Sequence, residues 1–155
     1  MLFRSVQGGP LSIKDLRGKV VLVRLWTSGC PFCTRSAPAL QTLFERYHDR
    51  GLVVVGIHHP KSKKARARDV VEEAVSALGI RFPVGIDNEW QTVKAYGVGT
   101  RFKAFTSISV LIDKQGVIRW VHDGGDLHPG GGSGHEDCAR AWESLHGAIE
   151  LALAP

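Results

Sequence analysis

The chain has 155 residues, 43% of them hydrophobic and 23% charged, with 18 glycines and 7 prolines. That length holds one domain, residues 1–155, with a sizeable core, and the composition excludes disorder, collagen-like repeats and coiled coil. A net charge of +5, from 20 basic against 15 acidic residues, suits acidic partners but is too small to mark a nucleic-acid binder.

Along the chain, Ser12-Ile13-Lys14-Asp15 has capping-box spacing with Asp in place of Glu, so a short helical turn ending at Gly18 is expected. Lys19 to Trp26 (KVVLVRLW) is a β-branched and aliphatic run of the kind that strands buried on both faces show. From Pro31 to Arg50, the spacing of Phe32, Ala39, Leu40, Leu43, Phe44 and Tyr47 predicts an amphipathic helix with Pro38 as a kink. Gly51 stops it, and Leu52 to Ile57 is a second buried strand, which completes a βαβ unit with parallel strands and a right-handed crossover. A helix over Asp69 to Gly79, an extended Phe82 to Val84 and a short helix over Asn88 to Tyr96, capped by Asp87 or Asn88, follow. Ser107 to Asp113 and Val117 to His122 form a hairpin around Lys114-Gln115-Gly116. Gly124 to Gly134 reads as a glycine-rich surface loop, and a capping box at Ser133–Glu136 opens a last helix carrying Cys138, Trp142, Leu145 and Ile149 on one face.

Cysteine usage carries the chemistry. Three cysteines do not staple a scaffold, and the pair in Cys30-Pro31-Phe32-Cys33 reads as redox chemistry or as half of a zinc site closed by histidines. Pro31 suits the first helical turn, which puts Cys30 at the helix N-terminus, where free backbone N–H groups and the macrodipole favour a thiolate. Cys33 lies one turn on, within disulfide reach. Cys30 is therefore expected to attack a disulfide and Cys33 to resolve the mixed disulfide.

These segments in order, LSIKDLRGKVVLVRLW, CPFC, Pro38, RGLVVVGIHHP, GIRFPVGIDNEW and SVLIDKQGVI, resemble the thioredoxin-fold superfamily, and within it the TlpA-like, redoxin-type thiol:disulfide oxidoreductases. The resemblance spans roughly Leu11 to Val121. It implies an α/β three-layer sandwich, a central mixed sheet flanked by helices, and a dithiol/disulfide site at Cys30 and Cys33. Three positions depart from the family pattern. Ser107, after Thr106, stands where the family's cis-proline packs on the sulfurs, which touches peptide docking and opens a ligand position. Arg24 stands two residues before Trp26, where many thioredoxins bury an aspartate; pointed at the site it favours thiolate, and otherwise it snorkels to the sheet edge. Gly29 replaces a frequent Trp and widens access to Cys30.

His58 and His59 end the second strand on the sheet edge that carries Cys30, as candidate acid/base groups or ligands, or as plain loop histidines. Lys61, Lys63, Lys64, Arg66 and Arg68 beside them attract an anionic thiol or an acidic partner, or form a solvated charge run. Cys138 reads as a buried structural cysteine, and His122, His128 and His135 around the glycine loop could join it at a metal.

The expected activity is disulfide exchange by Cys30 and Cys33, supported by Trp26, Pro31, Ser107, Arg24 and His58, with no cofactor and no metal. The expected partners are a protein or small-molecule disulfide and an upstream electron donor or acceptor, with no nucleic acid and the chain a monomer. Two rivals stand beside it: a peroxidase, with Thr27 three residues before Cys30 and a charge from Arg24 or Arg101, and a metal or iron–sulfur module using the Ser107 position. No apolar run approaches the roughly 20 residues that span a bilayer. Met1 to Lys19 lacks an apolar secretory core, so the chain as read is cytoplasmic, or extracytoplasmic if its N-terminus is clipped.

Overall fold

The computed structural model describes residues 4–9, 12–131 and 133–155. Six strands form one mixed sheet with a βαβ unit at its centre. β2 (Val20–Trp26) and β3 (Leu52–His58) are parallel in continuous register, from Val20 opposite Leu52 to Trp26 opposite His58. α1 (Pro31–Tyr47) joins them, so the carboxyl ends of both strands and the first turn of α1 share one edge of the sheet. β4 (Val84–Ile86) extends the parallel set beyond β3, while β5 (Ser109–Ile112) runs antiparallel to β2 and hairpins into β6 (Ile118–His122). β1 (Arg4–Gln7) pairs antiparallel with β4, and the spatial order is β1-β4-β3-β2-β5-β6. Sequence reading misses β1, because four residues with Val6 as their one aliphatic side chain carry no periodic signal; the open edge of β4 makes the strand.

All seven residues of β2 are buried, and their alternation divides the core. Val20, Leu22 and Trp26 face a cluster built with α1, α2 (Arg68–Ala77) and α4 (Glu136–Leu153). Val21, Val23 and Leu25 face the opposite side, where Val93 of α3 (Gln91–Ala95) and the residues Val98 and Ile108 cover the sheet. The three-layer α/β arrangement is the expected one, with one layer much thinner than the other. Arg24 belongs by alternation to the α1 side.

Several boundaries move for local reasons. α1 stops at Tyr47, and His48–Arg50 tighten into a 3-10 turn before Gly51, whose φ of +99° closes it. α3 starts at Gln91 rather than Asn88, since Asp87 caps it from a distance: Gln91 donates to Oδ1 at 3.0 Å, and Thr92 and Val93 donate to Oδ2 at 2.8 and 3.0 Å. The Ser12–Asp15 box does form, with reciprocal bonds of 3.0 and 3.3 Å. The expected box at Ser133 does not: His135 is the N-cap of α4 without a side-chain cap bond, and Glu136 instead accepts the Gly134 N–H at 3.3 Å. The glycine-rich segment is not a surface loop throughout, because Leu127 is fully buried against α1. Among the described residues, no helix is long and apolar enough to cross a membrane.

Candidate active site

Cys30 is the N-cap of α1 with extended backbone, and Pro31 fills the first helical position, where a missing N–H costs nothing. The Cys33 backbone N–H donates to the Cys30 sulfur at 3.3 Å, so the helix start supplies a directed charge-stabilising contact to that atom. Cys30 is partly exposed, whereas Cys33 is only 5% exposed and packs into the α1-side core. The structure holds both as free thiols. Burial pushes the Cys33 thiol up to about 12, against the Arg24 charge and the Thr27 backbone contact, which pull it down. The site therefore joins a partly exposed sulfur at a helix start to a buried, protonated one a turn further on.

Arg24 does not snorkel. It is 2% exposed and lies under the cysteines, donating to Ser109 Oγ at 3.2 Å, Ser36 Oγ at 3.4 Å and the Gly125 carbonyl at 3.0 Å. These acceptors are neutral. Burial works against its charge, while Cys33 first and Cys30 next hold it in place, with Asp126 a further favourable charge. A guanidinium is too basic to discharge in a protein, so the pair of sulfurs sits over a permanent buried cation.

Ser107 is 3% exposed and accepts the Gly125 N–H on its hydroxyl at 3.2 Å, and the described residues contain no cis peptide. Together with Arg24 and with the Leu127 N–H, which donates to Ser36 Oγ at 2.9 Å, it fastens the glycine-rich segment to the cysteine helix. Phe105 stands 5.4 Å edge-on from Phe32 and remains 38% exposed, which makes an apolar lip beside Cys30. Sequence reading missed this pair and the docking of residues 124–127, because both depend on an irregular loop approach that no periodicity encodes.

His58 and His59 are both fully buried, His58 as the last residue of β3 and His59 as the first residue beyond it. Ser28 N–H donates to His58 Nε2 at 3.1 Å, which places the remaining ring proton on Nδ1, and Trp26 meets the ring edge-on at 4.9 Å. Burial holds His58 down to about 4 and His59 down to about 3. His59 Nε2 pairs with the Thr106 hydroxyl at 2.9 Å. Both imidazoles therefore brace the loops on either side of the cysteines. Thr27 is buried, and its hydroxyl has no hydrogen-bond partner among the described residues; Arg101 is exposed and lies over Phe102. Of the basic run, Arg66 and Arg68 pair with Glu89 and Glu72, and Lys61, Lys63 and Lys64 are exposed.

Cys138 is half-buried in the first turn of α4 and lies outside the apolar cluster of Trp142, Leu145 and Ile149, contrary to the expected core role. His122 stacks on Trp120, at 6.1 Å, and is not grouped with the histidines of the loop. Asp126 takes its place there, beside His128, His135 and Cys138.

A CxxC opening the helix that follows a central parallel strand, on a mixed sheet closed by an antiparallel hairpin, is the thioredoxin fold. The chain belongs to the AhpC/TSA family, whose model matches residues 3–121. The fold is shared with a thiol-disulfide isomerase from Corynebacterium glutamicum, at TM-score 0.76 and 24% identity over 99% of this chain and 93% of that one. A secreted disulfide oxidoreductase of Mycobacterium tuberculosis superposes at TM-score 0.72 and 18% identity, covering 97% of this chain and 95% of its own. In sequence, the chain is 32% identical to the protein DipZ of Mycobacterium bovis over 115 residues, which is 74% of this chain but 16% of DipZ. It is 29% identical to the thiol-disulfide oxidoreductase ResA of Bacillus thuringiensis over 114 residues, 74% of this chain and 60% of ResA.

Proposed function

We propose that the chain is a thiol:disulfide oxidoreductase working through Cys30 and Cys33. The Cys30 thiolate attacks one sulfur of a substrate disulfide, forming a mixed disulfide and expelling the other sulfur as thiolate. Cys33, once its proton has left to solvent, attacks the Cys30 sulfur, releases the second substrate thiolate and leaves the Cys30–Cys33 pair oxidised by two electrons. An upstream donor resets the pair, or, run in reverse, an acceptor does. The observation that carries this reading is the asymmetry of the two sulfurs over Arg24: one accessible at a helix start, one buried beside a cation.

Arg24 also supports a redox poise. A cation favours thiolate over the neutral disulfide, so it stabilises the reduced pair and makes the oxidised pair a stronger oxidant. His58 does not act as the proton acceptor for Cys33, since its Nε2 lone pair is held by Ser28 and its Nδ1 carries the proton. An oxidising couple belongs where disulfides persist, so the poise favours an extracytoplasmic site of action over the cytoplasmic reading. The partner presents a disulfide beside apolar side chains that rest on Phe32 and Phe105. One copy suffices, because both cysteines and Arg24 come from the same chain. Peroxide reduction is less well served: Thr27 is 4% exposed, and Arg24 is spent beneath Cys33.

Parallel assays of protein-disulfide exchange and peroxide consumption test the reading. Catalysed exchange that requires both cysteines, with no peroxide turnover, is expected. Peroxide consumption retained by Cys33→Ser, with no exchange in the wild type, would replace it with a peroxidase.

A further inference from the structure

Ligating atoms of Asp126, His128, His135 and Cys138 all lie within 4.8 Å of one another, at the point where the glycine-rich segment meets α4. The disulfide-exchange chemistry uses none of these four side chains. We propose that they form a binding site for a borderline divalent cation of the zinc class.

The geometry of the set argues for one shared ion. Zinc takes thiolate sulfur at about 2.3 Å and imidazole nitrogen at about 2.0–2.1 Å in a tetrahedron, which sets a sulfur–nitrogen edge of about 3.5 Å. Cys138 Sγ and His135 Nδ1 are 3.9 Å apart. Two imidazoles on one tetrahedral ion place their ring centres about 5 Å apart. The centres of His128 and His135 are 5.1 Å apart with the planes tilted by 55°. His135 and Cys138 share one helical turn across two intervening residues, a ligand spacing common at zinc, and the loop brings the other two to meet them.

The chemistry of the donors agrees. Two imidazoles, a thiol and a carboxylate are a mixed borderline set that suits zinc, and cobalt as its spectroscopic substitute, rather than calcium or magnesium. Arg35 grips Asp126 through two bonds of 2.9 Å, the arrangement by which a neighbouring group orients a ligating carboxylate. The Gly130 N–H now donates to His128 Nδ1 at 3.1 Å, so ligation through that nitrogen makes the amide withdraw. Gly130 lets the loop come this close: a Cβ there would stand 3.0 Å from the Ala139 Cβ, and its φ is +86°. His128 and His135 also line an open cleft of about 480 Å³ between the loop and α1, which gives a cation its way in.

The test removes the competing thiols first. In reduced Cys30→Ser/Cys33→Ser protein, cobalt is expected to bind one per chain, with a thiolate-to-metal charge-transfer band and the intense visible bands of a tetrahedral ion, and zinc to displace it. Zinc also raises the melting temperature of that protein. Adding Cys138→Ser removes the charge-transfer band, and adding His135→Ala weakens zinc at least about 100-fold against a chelating indicator. Asp126→Asn, which keeps the side chain's shape but removes its charge, weakens it about tenfold. Melting curves recorded in chelator stay close to the parent for each variant. Failure of the double variant to take up cobalt, or a cobalt spectrum that survives Cys138→Ser, would overturn the proposal without touching the exchange reading, which depends on the other two cysteines.

Discussion

Three buried bases lie toward the carboxyl edge of the sheet, and one behaves oppositely to the other two. Arg24 on β2 keeps its charge in a dry site and passes it on to the cysteines, whereas His58 at the end of β3 and His59 just beyond it give theirs up and become neutral braces. Their burial is almost the same, so burial alone does not decide the outcome. Intrinsic basicity and the counter-charge do: a guanidinium cannot discharge and finds two ionisable sulfurs above it, while an imidazole loses its proton readily and here pairs with Ser28 and Thr106 beside aromatic edges, with Lys61 and Arg24 opposing a charge on His59. One base thereby becomes part of the redox chemistry, and the others part of the scaffold.

The strongest way to break this comparison is acid. With His58 near 4, His59 near 3 and His122 near 4, against 6.5 for the free ring, the folded chain binds fewer protons than the unfolded one below about pH 6.5. Stability is then full above pH 6.5 and falls as the pH drops toward 4, by on the order of 2 kcal/mol per histidine by pH 5. Urea unfolding at stepped pH reads this directly. A flat profile between pH 7 and 5 would mean that the rings are hydrated and charged, and the contrast with Arg24 would dissolve.

Arg24→Met sharpens the same comparison from the other strand. Removing the cation is expected to lower the Cys30/Cys33 reduction potential by about 30 mV or more, a tenfold change in the exchange equilibrium with glutathione. An apolar side chain of similar volume removes a charge whose hydrogen-bond acceptors are neutral but orphans the Gly125 carbonyl, so the two effects oppose each other and the melting temperature should move little. An unchanged potential would make Arg24 a packing residue. The smallest effect falls on the loop clamp: Ser107→Ala orphans the Gly125 N–H and should cost about 1 kcal/mol in denaturant while speeding alkylation of Cys33. Equal alkylation rates would show that the 124–127 segment does not cover that sulfur.

The βαβ centre and the CxxC were legible because each rests on short-range pattern: β-branched runs for β2 and β3, helical spacing and Pro31 for α1. The direction of Arg24 was also legible in principle, since positions 20, 22, 24 and 26 share a face by simple alternation. The edge-snorkelling alternative fails for a topological reason that local pattern does not hold: β2 lies between β3 and β5 and has no free edge to reach. Residues 124–134 were legible only as irregular. Their docking through Gly125, Asp126 and Leu127 depends on partners 18 to 101 residues away, so neither the clamp on the cysteine helix nor the meeting of Asp126 with Cys138 has a local signature. Helical spacing alone puts Cys138 in the core, whereas in the fold it sits in the first turn of α4, off the apolar cluster.

The central claim is the division of labour between the two sulfurs, and trapping tests it most directly. Cys33→Ser retains the accessible sulfur but loses the one that releases the adduct, so after reaction with a disulfide substrate and quenching with acid, non-reducing mass analysis should find one substrate thiol bound per chain, at Cys30. Cys30→Ser, left with a thiol that is 5% exposed and pushed up to about 12, should carry none at that position. Adducts on Cys33 in the Cys30→Ser chain, formed as fast as those on Cys30 in its counterpart, would contradict the account.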